Sequence, residues 1–228
     1  MAMEFEQIWQ GRLKSSLERE LGTEAARQLL AGLGVSDSTR VSGWTRRTLA
    51  ELGTLAGKQQ CRLVLAGCAC RYPAELLAPI RQAYAASGDL VLAHSMLQAQ
   101  YLEFLRRDLA LEAKVVDIVK ANGWGLAGTL NGSTVEATKM PKSGNLLPYL
   151  STEDPELRRQ LYCHCPRLRD ALALGERMPL DYCYCGAGFY QALWEEILGR
   201  SVRVEVVTSV AAGDDACRIR IDLSPHVP

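Results

Sequence analysis

Three short segments carry the residues best able to do chemistry: Cys68-Ala-Cys70, Cys163-His-Cys165 and Cys183-Tyr-Cys185. Each is a Cys-x-Cys pair just before a predicted helix. In an extended segment, residues i and i+2 project to the same side. Two thiols so placed are poor disulfide partners for each other and good joint chelators. A helix start adds partial positive charge and free N–H groups. Both favour thiolate, the form that binds metal or attacks an electrophile. Cys165 and Cys185 lie nearest such starts. A four-coordinate, sulfur-rich site suits zinc, whereas an iron–sulfur cluster finds no matching spacing here. His164, between two cysteines, is a candidate ligand. Cys217 adds to the set, because strand alternation places it on the face of Ile219 and Ile221, toward the covering helices, where it can meet Cys183. The candidate metal ligands are therefore Cys163, His164, Cys165, Cys183, Cys185 and Cys217. The competing reading is that these are buried cysteines acting as small hydrophobes. It carries most weight for Cys68 and Cys70, whose surroundings are apolar and whose partner the sequence does not identify.

The rest of the composition supports this emphasis on thiols. The chain has 228 residues, with 26 Lys+Arg against 26 Asp+Glu. A zero net charge lacks the basic excess of a duplex-binding surface, so nucleic acid is not an expected partner. No apolar stretch approaches the roughly 18–20 residues that span a bilayer, and the acidic start Met1-Ala-Met-Glu-Phe-Glu lacks the order of a signal peptide. The chain reads as soluble and cytoplasmic, with no membrane partner. In a reducing compartment, eight cysteines point to metal or redox chemistry more than to disulfides.

The elements that must position these thiols follow from periodicity. Phe5, Ile8, Trp9, Leu13, Leu17 and Leu21 mark one face of a first helix. Thr23 can cap a second through Leu33, and a third is predicted from Ser38 to Ala56. Pro73 opens a fourth to about Ala86, and a long helix is expected from Leu90 to about Leu111. Leu63-Val-Leu-Ala fits either a buried strand or a helix. From about Lys114 the period changes. Val115 to Val119 reads as a short strand, and Leu126 to Thr138 as a hairpin turning on Asn131-Gly132 in a type I′ turn. Asp154-Pro155 starts a helix through about Tyr162, with others at Pro166–Leu174 and Ala187–Leu198. Val202 to Val206 and Cys217 to Leu223 alternate as strands joined at Gly213-Asp-Asp. The tail from Ser224 to Pro228 is expected to fray. The fold class is α+β: a helical region over 1–112, then an α+β domain over 113–228 with a small antiparallel sheet and helices on one face. The helical half packs on this domain or forms a homodimer through it.

Cys183, a helix ending at Gly199-Arg200, an alternating strand from Glu205 to Ser209, Gly213 and then Cys217-Arg-Ile-Arg-Ile together resemble the 4-vinyl reductase domain family over about residues 181–223. The resemblance implies an antiparallel sheet with helices on one face, binding small molecules and hydrocarbons. It also implies that Cys183 and Cys217 match the thiol ligands of zinc-containing sensors in that family. A further thiol ligand of the family falls at Ser209, so Cys185, Cys163, Cys165 or His164 must substitute. The same segment is similar to the L-2-amino-thiazoline-4-carboxylic acid hydrolase family, through its terminal Gly-x-x-x-Cys strand. Cys163-His-Cys-Pro and Cys183-Tyr-Cys-Gly-Ala-Gly-Phe-Tyr also resemble an uncharacterised bacterial cysteine-rich family.

Other motifs carry less. Gly123-Trp-Gly125-Leu-Ala-Gly128 matches a dinucleotide fingerprint, but it leads into a hairpin rather than a helix. Lys139 and Lys142 can hold an anion in their loop or simply be solvated. His94 falls on an apolar helix face and reads as a satisfied core histidine. Glu195 and Glu196 show no second partner for general-base work. The expected function is an intracellular small-molecule-binding protein in which a thiolate-rich, zinc-binding site braces a pocket for a small apolar ligand. The alternative is a hydrolase of a small C–N or C–S substrate, with Cys185 as catalytic nucleophile or water on an open metal position. A third reading is an assembly module whose pocket is empty.

Overall fold

A computed structural model describes residues 2–34 and 41–225. The helical half begins with α1 (Ala2–Leu21), α2 (Thr23–Leu33) and α3 (Val41–Gly67). The expected start of the third helix at Ser38 lies outside the described residues. Its expected end at Ala56 coincides with a kink at Gly57 (φ 75°, ψ 170°), a backbone setting that glycine alone adopts without strain. Beyond the kink the chain is helical again, so Leu63 to Ala66 belong to α3 rather than to a strand. Pro73 precedes α4 (Ala74–Ser87), and Asp89 caps α5 (Leu90–Arg107) by accepting from the N–H groups of Val91 and Leu92.

Val115 to Val119, expected as a strand, lie in α6 (Ala113–Ala121). Three buried valines, Val115, Val116 and Val119, fit a helical face as well as a strand, and a segment of five residues is too short for periodicity to arbitrate. The hairpin of β1 (Thr129–Asn131) and β2 (Thr134–Thr138) turns on Gly132-Ser133. This is one residue later than expected, with Gly132 at φ 60° in the first central position. The glycines at 123, 125 and 128 do lead into this hairpin and not into a helix. Then come α7 (Leu146–Ser151), α8 (Pro155–Tyr162) capped by Asp154, and α9 (Arg169–Ala173) after a 3-10 turn at Pro166–Leu168. A second 3-10 turn at Leu180–Cys183 runs into α10 (Tyr184–Leu198), three residues before its expected start. β3 (Arg203–Thr208) and β4 (Arg218–Asp222) complete an antiparallel sheet of order β1-β2-β4-β3. Of the expected tail, residues 226–228 lie outside the described residues. The fold is α+β, as the sequence implies.

The sheet has two chemically distinct faces, as strand alternation requires. Val135 pairs with Ile221 and Ala137 with Ile219, while Val204 and Val206 pair with the same two isoleucines from the other side. This apolar row packs against α10, where Trp194 and Ile197 are buried. On the opposite face, Arg220 bridges Glu136 at 3.3 Å and Glu205 at 2.8 Å. One buried cluster runs from Trp9 on α1 through α3 and α10 to Leu223. Trp9 sits 6.3 Å from Trp44 and 6.4 Å from Tyr182, ring to ring.

α10 and α3 cross closely. A Cβ on Gly188 would lie 2.1 Å from the carbonyl oxygen of Ala66. Gly188→Ala therefore forces two buried helix backbones apart, and we expect a loss of about 1–3 kcal/mol by analogy with overpacked cores. Gly11→Ala on α1 meets nothing within 4 Å and should stabilise by about 0.5–1 kcal/mol. Urea titrations of the two variants check the contrast. Equal stability would mean that the helices do not cross this closely.

Candidate functional site

The end of the sheet beside the start of α10 is where the thiols gather. Cys163 follows α8 in extended conformation (φ −68°, ψ 128°), and Cys165 stands just before the 3-10 turn at Pro166. These two fit the extended pair expected. Cys183 and Cys185 do not. Cys183 is helical (φ −72°, ψ −4°), and Cys185 lies within the first turn of α10. Residues two apart on a helix diverge, and these two sulfurs reach different partners. Cys183 Sγ lies 2.8 Å from Ser209 Oγ. Cys185 Sγ accepts a hydrogen bond from the Trp9 indole N–H at 3.4 Å.

Cys217 meets Cys183 through Ser209. Its thiol reaches the same hydroxyl at 3.9 Å, so two sulfurs 34 residues apart share one buried oxygen. Ser209 is held in place from both sides. Its oxygen accepts from the Ala211 N–H at 3.1 Å, and its own N–H donates to Asp214 Oδ2 at 2.8 Å. Cys165 Sγ contacts Tyr182 OH at 3.3 Å. Tyr162 closes the arrangement by donating to the Lys139 carbonyl and accepting from the Cys217 N–H at 3.2 Å. Lys139 N–H in turn donates to the Cys217 carbonyl at 2.9 Å. Thus the ends of β2 and β4 and the end of α8 are tied together by one phenol.

Lys139 is a cation beside this cluster. Its Nζ lies 3.1 Å from where a Cβ on Gly186 would fall, so the half-buried lysine of the 139–142 loop reaches the start of α10. Its charge favours thiolate at Cys163, Cys185 and Cys217. Burial nevertheless wins. Loss of hydration, followed by neighbouring sulfurs, pushes Cys163 and Cys185 up to about 12, and Cys183 and Cys217 rise for the same first reason. These four are neutral thiols at pH 7, not the thiolates expected from helix starts. A helix-terminal dipole is worth about 0.3–1 kcal/mol, less than the cost of charging sulfur inside protein.

The remaining candidates divide. The Cys68 thiol is fully buried and donates to the Val64 carbonyl at 3.3 Å, and burial, with Cys185 adding to it, pushes the thiol up. Cys70 is exposed. Cys61 stands apart, beside Asp181 and Arg62. His164 Nε2 lies 2.7 Å from the Met140 carbonyl. A carbonyl only accepts, so Nε2 carries the proton and Nδ1 is the one nitrogen left to bind. His164 is lowered toward the neutral ring, first by lost hydration and then by Lys139. His94 is satisfied by the Gly128 carbonyl at 3.0 Å. Glu195 accepts from Gln191 and from the Val202 N–H, and Glu196 pairs with Arg81.

Lys139, Trp9, Tyr162 and Tyr182 are partners of the thiols that the sequence does not mark, whereas Ser209 stands where the family resemblance implies a ligand. For the tyrosines a signal exists: Tyr162 and Tyr182 both open a Tyr-Cys-x-Cys segment, and both phenols contact the cluster. Nothing local marks Lys139 or Trp9, whose roles depend on contacts from distant parts of the chain.

The donor set is soft and rich in sulfur, which is the chemistry of zinc rather than of calcium or magnesium. Among the described residues, no three His, Cys, Asp or Glu side chains are closed into a metal-holding group. The fit is therefore one of donor type and neighbourhood. To hold an ion, Cys183 and Cys217 must exchange the Ser209 hydroxyl for it and give up protons. As a nucleophile, Cys185 lacks what activation requires. It accepts from Trp9, and among the described residues no base hydrogen-bonds to it.

Open space lies behind Tyr162. A crevice of about 420 Å³ is lined by Trp124, Thr138, Tyr149, Tyr162, Arg158 and Arg218 among others. Its three aromatic rings stand edge to face, with centroids 5.9 Å apart for Trp124–Tyr149 and 5.7 Å for Tyr149–Tyr162. Ala216, also in the wall, adjoins Cys217, so crevice and thiols share Tyr162 and one turn of chain. The layer between sheet and α10 is filled by buried side chains. Among the described residues no helix is long and apolar enough to cross a membrane. No curated protein and no solved structure matches the chain. Residues 139–227, which contain the five clustered thiols, match a family of unknown function, DUF6144, and it is this family that the C-terminal part of the chain is similar to.

Proposed function

We propose that this chain is a small-molecule-binding protein whose crevice is braced by a zinc ion taken up at Cys183, Cys217 and Cys163, with Cys165 or His164 Nδ1 completing four ligands. The observation that carries the reading is the convergence of Cys183 and Cys217 on Ser209 Oγ, at 2.8 Å and 3.9 Å. These are the three positions at which the 4-vinyl reductase resemblance implies ligands. Cys163 stands close enough to Cys217 and Cys183 for each to raise another's cost of ionisation. Bound zinc supplies positive charge that makes thiolate the stable form, and its binding energy adds to folding energy. The protein's own part is to align the sulfurs. α8 ends at Cys163, the 3-10 turn delivers Cys183, and Tyr162 clamps Cys217 through its backbone.

Elemental analysis of protein purified without chelator tests the reading. About one zinc per chain is expected, because apparent binding energies of structural zinc are about 10–16 kcal/mol. Cys183→Ser and Cys217→Ser should each lose most of the metal. Ser209→Cys should bind it more tightly, by placing a third sulfur where the shared oxygen now stands. Wild-type protein that is free of metal, and stays so after dialysis against excess zinc, overturns the proposal.

A further inference from the structure

The crevice behind Tyr162 is lined by more positive than negative side chains. Two of its lining residues are arginines, and neither meets a carboxylate among the described residues. Arg158 lies over the Tyr149 ring at 4.2 Å and donates to the Thr152 carbonyl at 3.0 Å. Arg218 projects from the outer face of β4, on the side where Arg220 finds two glutamates, yet forms no ion pair there. The one acid in the wall, Asp215, is turned to Arg159 at 4.0 Å and its side chain is fully solvated. Two guanidiniums without a carboxylate partner thus line one concave site. The Trp124 and Tyr149 rings form a wall beside them.

We infer that this crevice takes a planar, apolar molecule carrying a single carboxylate, its ring against Trp124 and its carboxylate held by Arg218 and Arg158. The inference rests on the small-molecule-binding reading above and specifies the ligand class for it. Three features favour this class. A volume of about 420 Å³ is ample for one or two fused rings. Guanidinium forks match carboxylate geometry, and their weak hydration lowers the cost of closing on it. The aromatic lining favours a flat partner, since offset and edge-on ring contacts add about 0.5–1.5 kcal/mol.

Saturation-transfer NMR on the purified protein, with 2-naphthoate and its uncharged isostere 2-naphthamide as probes, tests this. The acid should bind at least about tenfold more tightly than the amide, a difference of about 1.4 kcal/mol. Arg218→Ala, at an exposed strand position, should remove most of that difference while leaving the fold intact, and Trp124→Phe should weaken both probes together. Equal binding of acid and amide by the wild type overturns the anion inference and leaves small-molecule binding standing. The same holds if the acid's preference survives in both Arg218→Ala and Arg158→Ala. Failure of both probes to bind overturns the inference and the ligand-binding reading with it.

Discussion

Metal-free protein should lose stability steeply as the pH rises above about 9, and should unfold before the buried thiols titrate. The sign follows from the two states of each cysteine. In the unfolded chain a thiol gives up its proton near its ordinary value of 9.0, whereas Cys163 and Cys185 hold theirs to about 12 and Cys61 to about 11. Between those limits the unfolded chain binds fewer protons, so stability falls with pH; below about pH 8 these groups contribute no slope. Each such thiol removes up to about 1.4 kcal/mol per pH unit. Three of them acting together reach several kcal/mol within two pH units, comparable with the whole stability of a typical protein, about 5–15 kcal/mol. Cys68, Cys183 and Cys217 are raised too and act in the same direction. Urea midpoints measured in chelator from about pH 8 to about pH 11 give the slope, and Cys185→Ala should lower it by up to about 1.4 kcal/mol per unit. A flat profile over that range would sink the assignment of these sulfurs as buried thiols. With zinc bound, the coordinating thiols have already released their protons, so the dependence reverses for them and stability falls toward acid instead.

The second large effect belongs to Arg167, which lies in the 3-10 turn directly after Cys165 and whose side chain is 1% exposed. Its Nε sits 3.0 Å from Glu6 Oε2, and its Cζ lies 3.5 Å from the centre of the Trp9 ring and 5.3 Å from that of Trp44. Its two terminal nitrogens make no hydrogen bond, and the contact with Glu6 is ionic rather than an aligned hydrogen bond. Glu6→Ala therefore leaves a guanidinium buried between two indoles without a counter-charge. We expect a loss of about 3–5 kcal/mol, as for other buried pairs broken on one side. The double replacement Glu6→Leu with Arg167→Met removes both charges and should recover most of that loss. Thermal unfolding of the three proteins decides it. A Glu6→Ala variant as stable as wild type would mean that the charge is balanced by another group. Because Trp9 also donates to Cys185, the single variant should expose Cys185 to alkylation as well.

What was legible in the sequence depended on how local the cause was. Asp154-Pro155 and Pro73 act within one turn of their helices, and each stands where the structure begins one. The inward row of Val204, Val206, Ile219 and Ile221 follows from a period of two and needs no partner to be read. Short apolar runs were not decidable in this way. Val115 to Val119 fold as a helix because α5 and the neighbouring loop supply a surface that a lone helical face can cover. The Cys183–Cys185 pair was misjudged for a related reason: α10 is extended at its start by the preceding 3-10 turn, which turns an extended dipeptide step into a helical one and sends its sulfurs apart.

The sequence by itself determined the chemistry available: eight thiols, most in close pairs, with one histidine between two of them and another thiol at the start of the last strand. Only the tertiary structure decided which of them meet and in what state. Ser209 became the meeting point of Cys183 and Cys217 because a sheet register and a 3-10 turn bring distant residues to one oxygen. Protonation was settled likewise, since hydration is lost only when α1, α8 and α10 close around the sulfurs, and the free energy of that loss exceeds anything a helix start or a single lysine returns.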